Sequence, residues 1–93
     1  MDKAEARKLL SEFLEGLQKK PYEELLQLVR NPVCDEIEGS SGTQYQIEYE
    51  ALWDSEPNGL LRIVASIDDG SLISAMFPIT LSFLADREGK IFA

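Results

Sequence analysis

The chain has 93 residues, of which 44% are hydrophobic and 28% are charged, and its 17 acidic and 9 basic residues give a net charge of −8. This size and composition are typical of one globular domain, so we predict a single domain over residues 1–93. The sequence has no histidine, which removes the commonest general base and transition-metal ligand. Its one cysteine excludes an intramolecular disulfide and any zinc site built from several cysteines.

Negative charge is concentrated in the middle of the chain, since residues 31–61 contain no basic residue and seven acidic ones: Asp35, Glu36, Glu38, Glu48, Glu50, Asp54 and Glu56. Binding to nucleic acid requires a positive surface, so we expect no nucleic-acid partner. The first ten residues lack the apolar core of a secretory signal, and no apolar run approaches the roughly 18 residues of a membrane span. We therefore expect a cytoplasmic protein with no membrane partner.

The first third of the chain predicts two helices. Asp2 and Glu5 have the spacing of a capping box, which marks a helix start. The apolar side chains that follow recur at the helical period and form one stripe: Leu9, Leu10, Phe13, Leu14 and Leu17. Pro21 suits the first position of a second, shorter helix. Asn31-Pro32 ends that helix, because the residue before a proline is driven out of the α region.

From Val33 onward, apolar and polar residues alternate, which predicts strands. The longest strand, residues 43–53, directs Tyr45 and Ile47 toward the helices, while Glu48 points to solvent. The other predicted strands are residues 33–38, 60–67, 72–77, 81–85 and 90–92. We predict an α+β fold in which two N-terminal helices pack on one face of an antiparallel β-meander of four to six strands.

Turn residues predict how the strands pair. A three-residue loop at 68–70, with Gly70 in the left-handed region, sets Ala65 opposite Ile73. The same reasoning applied to the loop at 54–58 places Ala51 opposite Leu61. The C-terminal segment is predicted to form a hairpin around residues 86–89.

Three short motifs resemble reactive or metal sites but have simpler explanations. The run 54–59 resembles the front of a calcium loop, yet its twelfth position is Ala65 inside a strand, so we predict a hairpin loop. Asp68 and Asp69 are favoured by a turn, and a metal enzyme would need a further converging carboxylate. Cys34 has no histidine to activate it and is expected to be buried or half-buried. We assign no catalytic residue, metal or cofactor.

Residues 42 to 84 carry a pattern of the form GTxYQIE, LRxxxSIDDG and PxTxSF, where Gly42, Leu61 and Pro78 begin the three stretches. In this pattern the chain resembles a family of small bacterial proteins of uncharacterised function. The resemblance implies a bacterial, intracellular protein. It implies no activity, cofactor or catalytic residue.

The leading functional hypothesis is a non-catalytic protein-interaction module. The second face of the sheet mixes charged and apolar residues, and it is either covered by the C-terminal hairpin, bound to another protein or paired in a homodimer. The candidate interaction residues are Glu48, Glu50, Arg62, Val64 and Met76. The alternative is a small-ligand-binding domain with a pocket between helices and sheet, lined by Tyr22, Tyr45, Tyr49 and Trp53.

Overall fold

In the computed structural model, which describes residues 1–92 apart from the Ala75 side chain, the long helix α1 spans Lys3–Gln18. Asp2 is its N-cap and accepts a hydrogen bond of 3.0 Å from the backbone N–H of Glu5, as the sequence predicted. One side of α1 is buried against the sheet through Ala6, Leu10, Leu14 and Leu17. The opposite side of this amphipathic helix carries its charged residues to solvent.

The second predicted helix is much shorter than expected. Helix α2 spans Tyr22–Leu26, five residues, and buries Leu25. The chain then leaves the helical path, and the backbone N–H of Ala51 donates to the carbonyl of Leu28 at 3.2 Å. Arg30 adopts a φ of 58°, which turns the chain into the first strand. The prediction of two helices packed on the sheet is therefore wrong, since one long helix covers it.

Five antiparallel strands form one sheet in the order β1-β2-β3-β4-β5. Their bounds are β1 Val33–Glu38, β2 Gln44–Trp53, β3 Leu61–Asp68, β4 Ile79–Ala85 and β5 Ile91–Phe92. The α+β class, the antiparallel meander and the strand number are confirmed. Both the leading strand and the C-terminal hairpin belong to this sheet, so the hairpin extends the sheet and does not fold over it.

The sheet has one buried and one open face, as the alternation predicted. Tyr45 and Ile47 are buried in the core, whereas Gln46 between them and Glu48 after them are exposed. We call the face opposite α1 the outer face. The predicted pairing across the loop at residues 54–58 places the apolar residues of β2 and β3 on the same face, which is right. The register is wrong by two positions, because Ala51 lies opposite Ile63 and not Leu61.

The predicted strand at residues 72–77 is wrong. Residues Leu72–Met76 form a short helix, α3, with Ser71 as its N-cap. Strand β4 takes the predicted place beside β3, so that Ala65 lies opposite Leu81 and not Ile73. The helix forms because the Ser71 side chain accepts from the Ser74 backbone N–H, which fixes the first turn.

Helix α1 lies mainly across β3 and β4. The largest fully buried side chains are Tyr45, Phe83, Leu10, Leu25, Ile47, Leu61, Ile63 and Ile67. Because α1 is centred on β3 and β4, the inner side of β1 is left partly open. None of the helices within the described residues has the length and apolar character needed to cross a membrane.

Candidate functional site

The most exposed apolar surface of the protein lies on α3. Leu72, Ile73, Met76 and Phe77 keep 63 to 77% of their surface accessible, and we call these four residues the apolar patch. Leu72, Ile73 and Met76 occupy positions i, i+1 and i+4 on one side of the short helix, and Phe77 follows as its C-cap. Scattered exposed apolar residues are normal, but four contiguous large ones are typical of an interaction surface.

The patch is held on the protein by a polar cluster beneath it. The Ser74 side chain is 6% exposed and donates to the carboxylate of Asp69. The Ser71 hydroxyl donates to the Ser74 hydroxyl at 2.9 Å, and the Ser71 backbone N–H donates to Asp69 at 3.0 Å. Hydrogen bonds from Ser74 and Ser71 hold the pKa of Asp69 well below its ordinary value. Asp69 is therefore ionised at neutral pH and anchors α3 by charge-assisted bonds.

A hollow of about 380 Å³ adjoins the patch where the start of α1 approaches α3. Its walls come from Met1, Lys3, Ser71, Ile73, Ser74 and Phe77. Ile73 and Phe77 belong both to this hollow and to the apolar patch. The exposed side chains of the apolar patch thus stand beside a hollow. A surface of this shape can accept a side chain of a partner protein.

A second polar cluster joins α1 to the turn between β1 and β2. The Glu5 carboxylate accepts from the Tyr45 hydroxyl at 2.9 Å, from the Ser41 hydroxyl at 2.8 Å and from the Ser40 hydroxyl at 3.3 Å. The Ser41 backbone N–H also donates to it, at 3.2 Å. These hydrogen bonds, led by the Ser41 hydroxyl, lower the pKa of Glu5. Burial, with the Glu5 contact adding to it, raises the pKa of Tyr45 to about 12.

The predicted interaction residues are placed on two different surfaces. Glu48, Glu50, Arg62 and Val64 lie on the outer face, as expected from strand alternation. Arg62 is held there by a 2.7 Å ion pair with Asp54. Met76 was predicted on the same face, but it belongs to α3 and to the apolar patch.

The four predicted pocket residues do not share one cavity. Tyr49 lines two open hollows beside β1, and its hydroxyl donates to Asp35 at 3.1 Å. Tyr45 is fully buried under α1, while Tyr22 and Trp53 are half-buried against the core. A ligand pocket lined by all four aromatic residues therefore stays a prediction that this geometry does not favour.

The residues of the motifs that resembled reactive sites have structural roles or lie on the surface. Asp54 belongs to the loop between β2 and β3 and pairs with Arg62. The Asp68 carboxylate accepts from the Gly70 N–H at 2.8 Å, as a turn residue does. Cys34 is exposed because it lies on the outer face of an edge strand, so the expectation of a buried thiol is wrong. Across residues 1–92, no three acidic or cysteine side chains converge as metal ligands.

The apolar patch was not predicted from the sequence, because its residues fit both the two-residue period of a strand and the 3.6-residue period of a helix. Ile73 and Phe77 suit an alternating strand, and with Leu72 and Met76 they also fit a helical face. The signal for the helix was Ser71, a good N-cap, with Pro78 just beyond the end of the segment. The Glu5 cluster had no local signal, since its partners lie 35 to 40 residues away.

Comparison with known proteins finds no matching family model, no similar curated protein and no similar solved structure. The resemblance to small bacterial proteins therefore stays a prediction.

Proposed function

We propose that the protein is a small, non-catalytic protein-interaction module that binds its partner through the apolar patch. The observation that carries the proposal is the exposure of Leu72, Ile73, Met76 and Phe77 on a helix that Asp69 and Ser74 hold in place. Burying large apolar side chains is the main source of binding energy at protein interfaces. A bacterial, cytoplasmic setting, predicted from the sequence, is part of the proposal.

The charge of the protein supports a protein partner over a lipid one. An anionic membrane surface attracts basic residues around an apolar anchor, and this chain has a net charge of −8. A partner with an apolar groove and a basic or neutral rim complements the patch and the overall field. A second copy of the chain is the other protein that the patch could contact.

The test compares three immobilised proteins in a lysate of the encoding organism. They are the wild type, the double variant Ile73→Ser/Phe77→Ser in the patch, and Leu52→Ser on the outer face as a control that also removes an exposed apolar side chain. We expect a protein that the wild type and the Leu52→Ser variant retain and the double variant loses. Titration with that purified protein should then show a Kd weakened about tenfold or more by the double substitution.

Sedimentation of the wild type and the double variant distinguishes a homodimer from binding to a different protein. A dimer that dissociates in the double variant would identify a second copy as the partner. Retention profiles that are identical for all three proteins, together with a monomeric wild type, would refute the proposal.

A further inference from the structure

We propose that the edge of β1 binds an extended basic peptide, which adds to the sheet as a further strand. This site is separate from the apolar patch, and the two proposals can fail independently. It rests on three observations: hydrogen-bonding groups of the backbone that face outward, a groove beside the strand, and a concentration of negative charge. Strand addition of this kind uses main-chain hydrogen bonds for affinity and side-chain pockets for selectivity.

The backbone groups of β1 that face outward follow from the pairing with β2. The Gly39 N–H donates to the Thr43 carbonyl at 2.8 Å, which fixes the phase of the ladder. Because bonded pairs alternate in antiparallel strands, residues 37, 35 and 33 are the ones bonded to β2. The N–H and C=O groups of Cys34, Glu36 and Glu38 therefore turn away from β2. Within the described chain β1 is an edge strand, and all three residues are exposed.

A groove follows the inner side of β1, where α1 does not cover the sheet. It consists of two adjoining hollows of about 450 and 560 Å³, which share Leu17, Lys20 and Tyr49. Phe13 adds to its apolar floor and contacts the Tyr49 ring, with ring centres 4.9 Å apart. Alternate side chains of an added strand would point into this groove. An aliphatic side chain suits that floor.

The charge beside this edge selects the partner. Glu36 and Glu38 line the outer face of β1, Glu48 lies on the neighbouring strand, and Asp35 and Glu12 border the groove. An acidic edge repels a second copy of the same strand, which protects against edge-to-edge aggregation. The same charge attracts a strand that carries lysine or arginine. The partner we infer is an extended segment with basic side chains on its outer side and aliphatic ones on its inner side.

The probe is a capped peptide of alternating lysine and valine, as long as β1 with its 6 residues. We expect saturable binding that weakens with added salt. Binding should slow amide exchange at Cys34, Glu36 and Glu38, whose N–H groups face the edge, more than at Asp35 and Ile37, which are already bonded to β2. It should also slow thiol labelling of the exposed Cys34. A peptide of alternating glutamate and valine is the matched control and should not bind.

Two variants of one residue separate hydrogen bonding from charge. Glu36→Ala and Glu36→Pro both remove the carboxylate, but only proline removes the N–H that faces the edge. We expect the proline variant to bind the lysine–valine peptide about tenfold more weakly than the alanine variant. If the proline variant fails to fold, N-methylation of alternate peptide residues removes the complementary hydrogen bonds, which the peptide N–H groups donate to the carbonyls of β1, and should weaken binding in the same way.

Two results would overturn the proposal: equal binding by the two Glu36 variants, and equal binding of the acidic and basic peptides. The double variant Ile73→Ser/Phe77→Ser, which changes the apolar patch, should bind the peptide like the wild type. Loss of peptide binding in that variant would place the peptide on the patch and refute the edge site.

Discussion

Glu5 connects the first helical turn to the turn between β1 and β2, so one carboxylate joins two parts of the fold. Its pKa is lowered by hydrogen bonds from Ser41 and Tyr45. A carboxylate with a folded-state pKa below its unfolded value of about 4.5 stabilises the protein fully above that pH. This stabilisation is lost as the pH falls through the folded-state pKa. Tyr45 behaves oppositely: its raised pKa means that stability is lost between about pH 10 and about pH 12.

Glu5→Gln should therefore lower Tm at pH 7 and reduce the loss of Tm between pH 5 and pH 2. Glutamine keeps the size of the side chain but removes the charge that strengthens the Ser41 and Tyr45 hydrogen bonds. Thermal melts across this pH range measure both effects. Glu15→Gln, on the exposed side of the same helix, is the control and should leave the melting curve unchanged. If Glu5→Gln melts like the control at every pH, the cluster does not stabilise the fold.

Substitution by alanine should have opposite effects on stability at two glycines, Gly39 and Gly16. A Cβ on Gly39 would collide with the Glu5 carboxylate and lie 3.0 Å from the Tyr45 ring. We expect Gly39→Ala to lower the free energy of unfolding by about 1–3 kcal/mol, because the carboxylate must leave its donors. At Gly16, in the last turn of α1, a Cβ meets nothing within 4 Å. Gly16→Ala should therefore raise this free energy by about 1 kcal/mol. Urea unfolding of the two variants gives both values, and shifts of the same sign would contradict the prediction.

At the scale of elements, α3 presents apolar side chains that the fold does not use. The double variant Ile73→Ser/Phe77→Ser should change the free energy of unfolding by less than about 0.5 kcal/mol, because both side chains are already in solvent. Phe83→Ala, in the core beneath α1, should lower it by about 3–5 kcal/mol. Urea unfolding of both variants makes the comparison. A loss of several kcal/mol in the double variant would mean that the patch packs against the protein.

The elements that could be predicted from the sequence are those whose local and tertiary preferences agree. In α1, the Asp2 cap and the buried stripe both indicate a helix. In β2, Tyr45 and Ile47 alternate with Gln46 and Glu48, which remain in solvent. In α3 the two preferences conflict, because strand alternation and a Ser71 cap occur in the same seven residues, 71–77. The capping bonds decide the outcome there, and the next strand pairs with β3 in its place.

The candidate sites were harder to predict than the fold, because they depend on contacts between distant parts of the chain. Outer-face positions such as Glu48 and Arg62 follow from alternation, and their placement was predicted correctly. The apolar patch could not be predicted without recognising α3, and the β1 edge could not be predicted without the strand order. Tyr49 lines a groove beside β1 and not a pocket shared with the other three aromatic residues, and the acid that accepts its hydrogen bond, Asp35, comes from a strand whose pairing was not assigned.

At the scale of the whole molecule, the sheet has the hydrophobic core on one face and a group of acidic side chains on the other. Four glutamates of β1 and β2 share the outer face: Glu36, Glu38, Glu48 and Glu50. Their neighbours across the strands are mostly uncharged, as in the pairs of Glu48 with Cys34 and Ser66. Like charges on one sheet face repel, and salt screens that repulsion. The folded state should therefore be more stable at high ionic strength.

We expect the free energy of unfolding at pH 7 to rise when sodium chloride increases from about 0.01 M to about 1 M, which shortens the screening length from about 30 Å to about 3 Å. Glu48→Lys should raise this free energy at low salt by about 0.2–1 kcal/mol, since Glu48 lies diagonally across from Glu36. The gain should shrink at high salt, because the new attraction is screened as well. Urea titrations of both proteins at the two salt concentrations measure these differences. A Glu48→Lys gain that is the same at both concentrations would show that packing, and not charge, is responsible.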